Sequence, residues 1–297
     1  MGIGGGGDVA GALAAAGAAE RLGTPAELGG ITWERRPIDP LPGPRTLDEV
    51  AGARRLHAAA ALAGPDTTGP GGFHFAESRM AGVLGRPVAL IDPTDGPRAI
   101  AAGLVAAAGH LDCDLLVLLD VGGDVLAHGE ETGLASPLAD ALLLAAAPHT
   151  AAAGLRTIGV VFGAGCDGEL TPTEVRTRYD EIAAGSEPLG ETDPPPSALD
   201  RLDAALAHVP TEASAMALRC ARGETGTATI RDGRRTVQLT ALGGRLLWFE
   251  PEAAIAGPAR VAAAVADARG LREAHDTLTA RGIRTELAYE LDAAAEH

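Results

Sequence analysis

The 297-residue chain contains no lysine and no asparagine, so all 24 of its Lys-or-Arg positions are arginine. Without lysine there is no Walker-type phosphate loop, whose lysine contacts the phosphates. Schiff-base chemistry with pyridoxal phosphate or a carbonyl substrate is excluded for the same reason. Without asparagine, N-linked glycosylation has no acceptor. Cys113, Cys166 and Cys220 are odd in number and far apart in sequence, and form neither a disulfide framework nor a zinc pattern. That scarcity points to a reducing, cytoplasmic compartment. The eight histidines are scattered with no paired ligand spacing, so a histidine metal site or a Ser–His–Asp triad has little support. Aromatic residues make up only 3% of the chain, and a core drawn from its 46% hydrophobic residues must therefore be built of Ala, Leu and Val.

Long apolar runs are missing too. No segment reaches the roughly 18 consecutive apolar residues that span a bilayer, which excludes a membrane-embedded protein. Ala10 to Ala19 is apolar, but Gly4 to Gly7 stand where a signal peptide would carry positive charge, so this stretch reads as a helix of the mature protein. A formal net charge of −16 repels phosphate backbones and argues against a nucleic-acid partner. Individual arginines remain able to hold a small anion.

What is present is an alternation of strands and helices. Met1 to Asp8 reads as the tail of a strand and a tight glycine turn, followed by a helix over Val9–Leu22 and a strand over Glu27–Trp33. Four prolines keep 34–45 irregular, and Thr46 with Glu49 makes a capping box that predicts a helix after it. Helices are expected over Glu77–Leu84 and Gly96–His110, with buried strands over Pro87–Ile91, Asp114–Leu119 and Leu155–Phe162. Ser136–Pro137 and Thr171–Pro172 each open a further helix. The polar, proline-rich 185–196 reads as a linker. Beyond it come a helix over Ser197–Arg222, three short strands (Thr227–Ile230, Thr236–Thr240, Leu246–Phe249) and two closing helices, near Pro258–Ala268 and over Leu271–Arg281. The pattern predicts an α/β fold, Rossmann-like and doubly wound with a mainly parallel sheet, over 1–184. A C-terminal α+β portion over 197–297 packs on the same core.

Three loops carry candidate chemistry. Gly4-Gly5-Gly6-Gly7-Asp8 precedes a helix, where glycine backbone and a helix N-terminus favour a ligand. Asp8 complicates a phosphate there, and its carboxylate can instead cap the helix, bind a hydroxyl or hold a cation. Asp120-Val121-Gly122-Gly123-Asp124 follows the clearest strand, and ligands of open α/β sheets bind beyond strand carboxyl ends. Its two carboxylates suit Mg²⁺ or sugar hydroxyls, and Glu130, Glu131 and Ser136 follow. Gly163 to Glu169 repeats the arrangement, with Asp167 and Glu169 facing the same cleft. Cys166 reads as a packing residue, since neighbouring acids raise its thiol pKa. Trp33 either stacks on a ligand ring or belongs to the core. Glu34 and Arg35 beside it, with Arg36, either contact a ligand or form a solvated run.

As a set, GIGGGGDVAGALAAA at 2–16, GGITWERRPIDPLPGP at 29–44, DVGGDVLAHGEETGLASPLADALLLAA at 120–146, GAGCDGEL at 163–170 and TEASAMALRCARG at 211–223 resemble the DUF1152 family of uncharacterised prokaryotic proteins. The resemblance implies a Rossmann-like fold and no particular substrate. It also implies a full first strand ahead of the glycine loop, whereas this chain starts almost inside that loop.

The expected function is an enzyme acting on a small polar metabolite bearing a phosphate, sugar or nucleoside group. Asp120, Asp124 and Asp167 would serve as acid and base or, with Asp120 and Asp124 as ligands, hold Mg²⁺ for hydrolysis or group transfer. Mg²⁺ and a nucleotide are the candidate cofactors, and a small molecule is the partner. A non-catalytic nucleotide- or metabolite-binding protein and a homo-oligomeric structural protein are the alternatives.

Overall fold

The computed structural model describes residues 1–185 and 189–296. The expected linker over 185–196 falls in part on 186–188, outside the described residues. In chain order the first half comprises α1 (Asp8–Arg21), β1 (Gly29–Ile31), β2 (Arg54–His57), β3 (Ala60–Ala63), α2 (Ala76–Leu84), β4 (Val88–Ile91), α3 (Gly96–His110), β5 (Leu115–Val121), α4 (Leu138–Ala145), α5 (Ala147–Ala152) and β6 (Arg156–Phe162). The second half comprises α6 (Pro172–Gly185), β7 (Glu191–Thr192), α7 (Pro196–Leu206), α8 (Glu212–Ala221), β8 (Gly226–Ile230), β9 (Arg235–Leu239), β10 (Leu246–Phe249), α9 (Pro251–Ala256), α10 (Arg260–Val265), α11 (Leu271–Ala280) and α12 (Glu286–Ala295).

The strands form two four-stranded sheets, ordered β1-β4-β3-β2 and β5-β6-β10-β7, plus the hairpin β8-β9. The first residues of the chain join the two sheets. Ile3 N donates to Leu119 O at 3.0 Å and Leu119 N to Met1 O at 2.8 Å, while Gly2 N donates to Gly29 O at 2.8 Å. Residues 1–3 thus lie parallel to β5 on one side and against β1 on the other.

The sheet is mixed rather than mainly parallel. β1 pairs β4 and β5 pairs β6 in parallel, but β3 runs antiparallel to both β4 and β2, and β10 antiparallel to both β6 and β7. The helix expected after Thr46 is the hairpin β2–β3. Thr46 and Glu49 do bond each other, Thr46 N reaching Glu49 Oε2 at 2.8 Å, yet no helix follows. Ala60 to Ala63 are all buried and extended against β4, so pairing overrides the helix preference of alanine. The helix expected over Ser197–Arg222 is two helices, α7 and α8, broken at Pro210, whose ring cannot continue the helical bond ladder. Trp33, Phe75, Phe162 and Phe249 are the largest fully buried side chains, and alanine, leucine and valine dominate the rest of the core. No helix among the described residues is long and apolar enough to cross a membrane.

Candidate functional site

Residues 1–3, β5 and β6 run in the same direction, with Gly2 level with Leu119 and Val121 level with Phe162. Their carboxyl ends therefore release Gly4–Asp8, Gly122–Asp124 and Gly163–Glu169 at one edge. Gly165 N donates to Gly122 O at 2.7 Å and ties the last two loops together. Glycine is required where they touch: at Gly122, with φ +143°, a Cβ would lie 2.4 Å from the Asp167 carboxyl carbon.

Six buried carboxylates meet there in two trios, Asp8–Asp120–Asp140 and Asp124–Asp167–Glu169, the donor oxygens of each trio lying within 4.8 Å of one another. The two trios are held differently. Asp8 Oδ2 accepts from Gly4 N (3.0 Å) and Val121 N (3.4 Å), and Asp120 Oδ2 from Gly123 N (2.8 Å) and Val125 N (3.3 Å). Asp140 is 2% exposed, and its Oδ1 is buried with no hydrogen-bond partner among the described residues. In the second trio, Glu169 Oε2 accepts from Ala135 N (2.7 Å) and Ser136 N (2.8 Å). Its Oε1 accepts from the Ser136 hydroxyl and faces Arg231 at 3.3 Å. Asp167 Oδ1 accepts from Glu169 N at 3.1 Å.

Burial raises the pKa of five of these acids. It pushes Asp8 up to about 7, against the Gly4 and Val121 amides and the Arg35 and Met1 cations. Asp167 also reaches about 7, through burial and then Glu169. Asp120, Asp124 and Asp140 rise well above the usual carboxylate range, burial first and neighbouring carboxylates after it. Groups so perturbed, collected at strand ends, make this edge the candidate functional site.

The family described as "Protein of unknown function (DUF1152)" matches residues 1–294. The chain belongs to the DUF1152 family. No curated protein and no solved structure matches it.

In this DUF1152 chain, Asp8, Gly122, Gly123, Asp120, Asp124, Asp167, Ser136 and Glu169 lie together at this edge. The glycine loop closes mostly on itself. Gly4 N is taken by Asp8, Gly6 N by Trp33 O (3.0 Å) and Gly7 N by Gly5 O (2.6 Å). Gly5 and Gly6, at φ +77° and +62°, make the turn that brings Asp8 back over Gly4. Arg35 Nη2 donates to Gly4 O at 2.7 Å and pairs with Glu286 at 3.3 Å, making it the arginine of the cluster's first half.

Glu34 and Glu130 lie apart from the cluster. Glu34 is buried and accepts from Ala76 N at the start of α2. Glu130 is exposed, while its neighbour Glu131 accepts from the His128 and Gly129 amides (2.8 Å each) and pairs with Arg178. Trp33 is fully buried, its Nε1 3.2 Å from each Glu290 oxygen and its ring covered by the Arg35 guanidinium at 4.6 Å. We expect Trp33→Ala to cost about 3–5 kcal/mol in a chemical-denaturation series. In a Trp248→Phe background, Trp33 emission should not respond to metabolite binding; a ligand-dependent shift would return Trp33 to the site.

Asp140 and Glu286 were not reached from sequence. Asp140 had a signal, being the one charged residue in the otherwise apolar helix LADALLLA. Glu286 had none: it arrives from the C-terminal end of the chain to accept from Leu138 N (3.0 Å) and Ala139 N (2.9 Å) at the start of α4. Cys166 is wholly buried with its Sγ 3.8 Å from that of Cys220. Its thiol pKa is raised by that contact and then by burial, which suits packing rather than nucleophilic attack.

Proposed function

We propose that this DUF1152 protein is an enzyme acting on a small polar metabolite bearing a phosphate, sugar or nucleoside group, by acid–base or divalent-cation-assisted hydrolysis or group transfer. One observation carries the reading: five carboxylates from three strand-end loops and a sixth, Asp140, from α4 converge, buried, at the carboxyl ends of adjacent parallel strands. The strand sequence supports a Rossmann-like reading of that edge. β4, β1 and residues 1–3 lie on one side, β5 and β6 on the other, and Asp8 and Asp120 leave the strands that meet at the reversal. Ligands of such sheets sit at that reversal.

In this reading the chain supplies two functions and a bound cation a third. Asp124, raised by burial and neighbouring carboxylates well above the usual carboxylate range, and Asp167, pushed up to about 7, pass a proton to or from the reacting oxygen. Arg35 offsets part of the negative charge beside Asp8. A bound Mg²⁺ would polarise a substrate oxygen or acidify a water. The test is a screen of nucleotides, nucleosides and sugar phosphates, with and without Mg²⁺, read by thermal shift and by product formation in NMR. At least one class should raise the melting temperature and turn over. Absence of both across the panel would leave the enzymatic reading without support.

A further inference from the structure

We infer that Asp8, Asp120 and Asp140 form a dedicated site for one hard divalent cation, Mg²⁺ or Mn²⁺, distinct from the Asp124–Asp167–Glu169 trio. This deepens the reading above and rests on it only for the catalytic use of the ion; the site itself rests on the geometry of the first trio.

The two trios look alike in residue type and differ in what already occupies their oxygens. Glu169 is saturated: two backbone amides, the Ser136 hydroxyl and Arg231 all point at it. A carboxylate so engaged holds loops together and has little left for an ion. In the first trio the backbone amides of Gly4, Val121, Gly123 and Val125 fall on a single oxygen each of Asp8 and Asp120. The second oxygen of each has no hydrogen-bond donor among the described residues. These amides fix the orientation of the carboxylates, as outer partners do in built metal sites.

Asp140 supplies the independent sign of a missing partner. It sits in the first turn of the wholly buried helix α4, and its Oδ1 has no hydrogen-bond partner in a place water does not reach. A buried, unpaired carboxylate oxygen costs several kcal/mol and persists only where something else compensates it. Both Asp140 oxygens point at the glycine loop: a Cβ on Gly4 would lie 3.1 and 3.2 Å from them and 2.8 Å from Asp8 Oδ2. Arg35, whose charge acts on Asp140, has its Nη2 committed to Gly4 O and Glu286, while its Nη1 lies 3.8 Å from Glu290 Oε1 and bonds neither Asp140 oxygen.

The donor set defines the ion. Three carboxylate oxygens with no thiolate or imidazole select a hard cation. The three oxygens lie within 4.8 Å of one another, and a small inward shift of the side chains brings them to the roughly 3–4 Å spacing that a common ion at about 2.0–2.4 Å imposes.

The test uses the full chain, stripped with EDTA and titrated with MnCl₂ (free Mn²⁺ by electron paramagnetic resonance) and with MgCl₂ by calorimetry. Wild type should bind Mn²⁺, Asp140→Asn should weaken binding at least tenfold, and Glu169→Gln should change it less than threefold. Equal affinity in wild type and Asp140→Asn, or no Mn²⁺ binding by the wild type at millimolar concentration, would overturn the inference. A second measurement needs no variant. Fe²⁺ with ascorbate and peroxide cuts backbone beside a bound ion, and mass spectrometry should find cuts near Gly4, Val121 or Ala139; cuts confined to 163–169 would place the ion in the other trio and overturn the assignment. Ion binding without turnover of any metabolite would leave this site standing and remove the enzymatic reading. Turnover without ion binding would do the reverse.

Discussion

Asp124→Asn is expected to raise the thermal stability of the metal-stripped protein at pH 7 by several degrees while abolishing turnover. Asp124 is buried and its pKa is raised by that burial and then by Asp140, Asp120, Glu169 and Asp167. At pH 7 the native state must keep this carboxyl protonated, or bear its repulsion, while the unfolded chain ionises freely near pH 3.9. That difference costs at most about 4 kcal/mol at 1.4 kcal/mol per pH unit. An asparagine has nothing to ionise and removes the cost, less roughly 1–3 kcal/mol if its amide stays unpaired. A net gain of about 1–3 kcal/mol corresponds to roughly 2–5 °C in a chain of this size. The gain has a signature: it vanishes at pH 4, where the unfolded chain is protonated too. Melting curves of both proteins at pH 4 and pH 7 in EDTA, with turnover of whichever metabolite the screen finds, decide it. A variant that melts lower at both pH values yet turns over normally would make Asp124 a strut of its loop and move the chemistry elsewhere.

That Asp124 can be singled out at all reflects how much of the site is written locally. The continuous apolar runs that became β5 and β6 are legible because a strand covered on both faces leaves no polar alternation. Once those strands are placed, the glycine-and-acid stretches after them must lie at their carboxyl ends, and with them Asp120, Asp124, Asp167 and Glu169. What eluded the sequence depends on partners distant in the chain. Residues 1–3 read as the tail of a strand and are one, but their place between β5 and β1 was not legible, since three residues carry no periodicity of their own. Ala60 to Ala63 are helix formers by intrinsic propensity and are extended because β4 offers an edge. Glu286 reaches α4 from 148 residues away, and nothing in its own segment marks it.

Asp140 is the instructive intermediate. Its helix begins within two residues of the start that Ser136–Pro137 predict, yet Asp140 is not among the residues singled out from sequence. A single acid among alanines and leucines is costly to bury. That cost, rather than any motif, is the readable signal, and it points to the same trio as the unpaired Oδ1 does.

The same electrostatics predict that metal-stripped wild type loses stability as pH rises from about 4 to 7, and that Mg²⁺ restores it at pH 7 but not at pH 4.5. Burial pushes Asp8 and Asp167 from 3.8, and Glu34 from 4.5, up to about 7 in each case. A carboxyl whose pKa is higher folded than unfolded keeps its proton in the native state after the unfolded chain has released it. Its stabilising contribution is complete below the unfolded value and lost as pH climbs through the folded one. Each of the three loses roughly 3–4 kcal/mol across that window, and against a total stability of about 5–15 kcal/mol the sum is severe. The Met1 amine works the other way. Burial lowers it from 8.0 to about 6, so its share of stability rises with pH between those values and offsets part of one carboxylate. The net expectation is a melting temperature at least about 10 °C lower at pH 7 than at pH 4.5 in EDTA. Cation binding requires deprotonated ligands; rescue by millimolar Mg²⁺ should therefore grow with pH and be absent where Asp8 and Asp140 hold their protons. A stability that stays level or rises from pH 4.5 to 7 without divalent ions would mean that the carboxylates are ionised and balanced from within the protein, and the cluster would then be an internal salt network instead of a cation site.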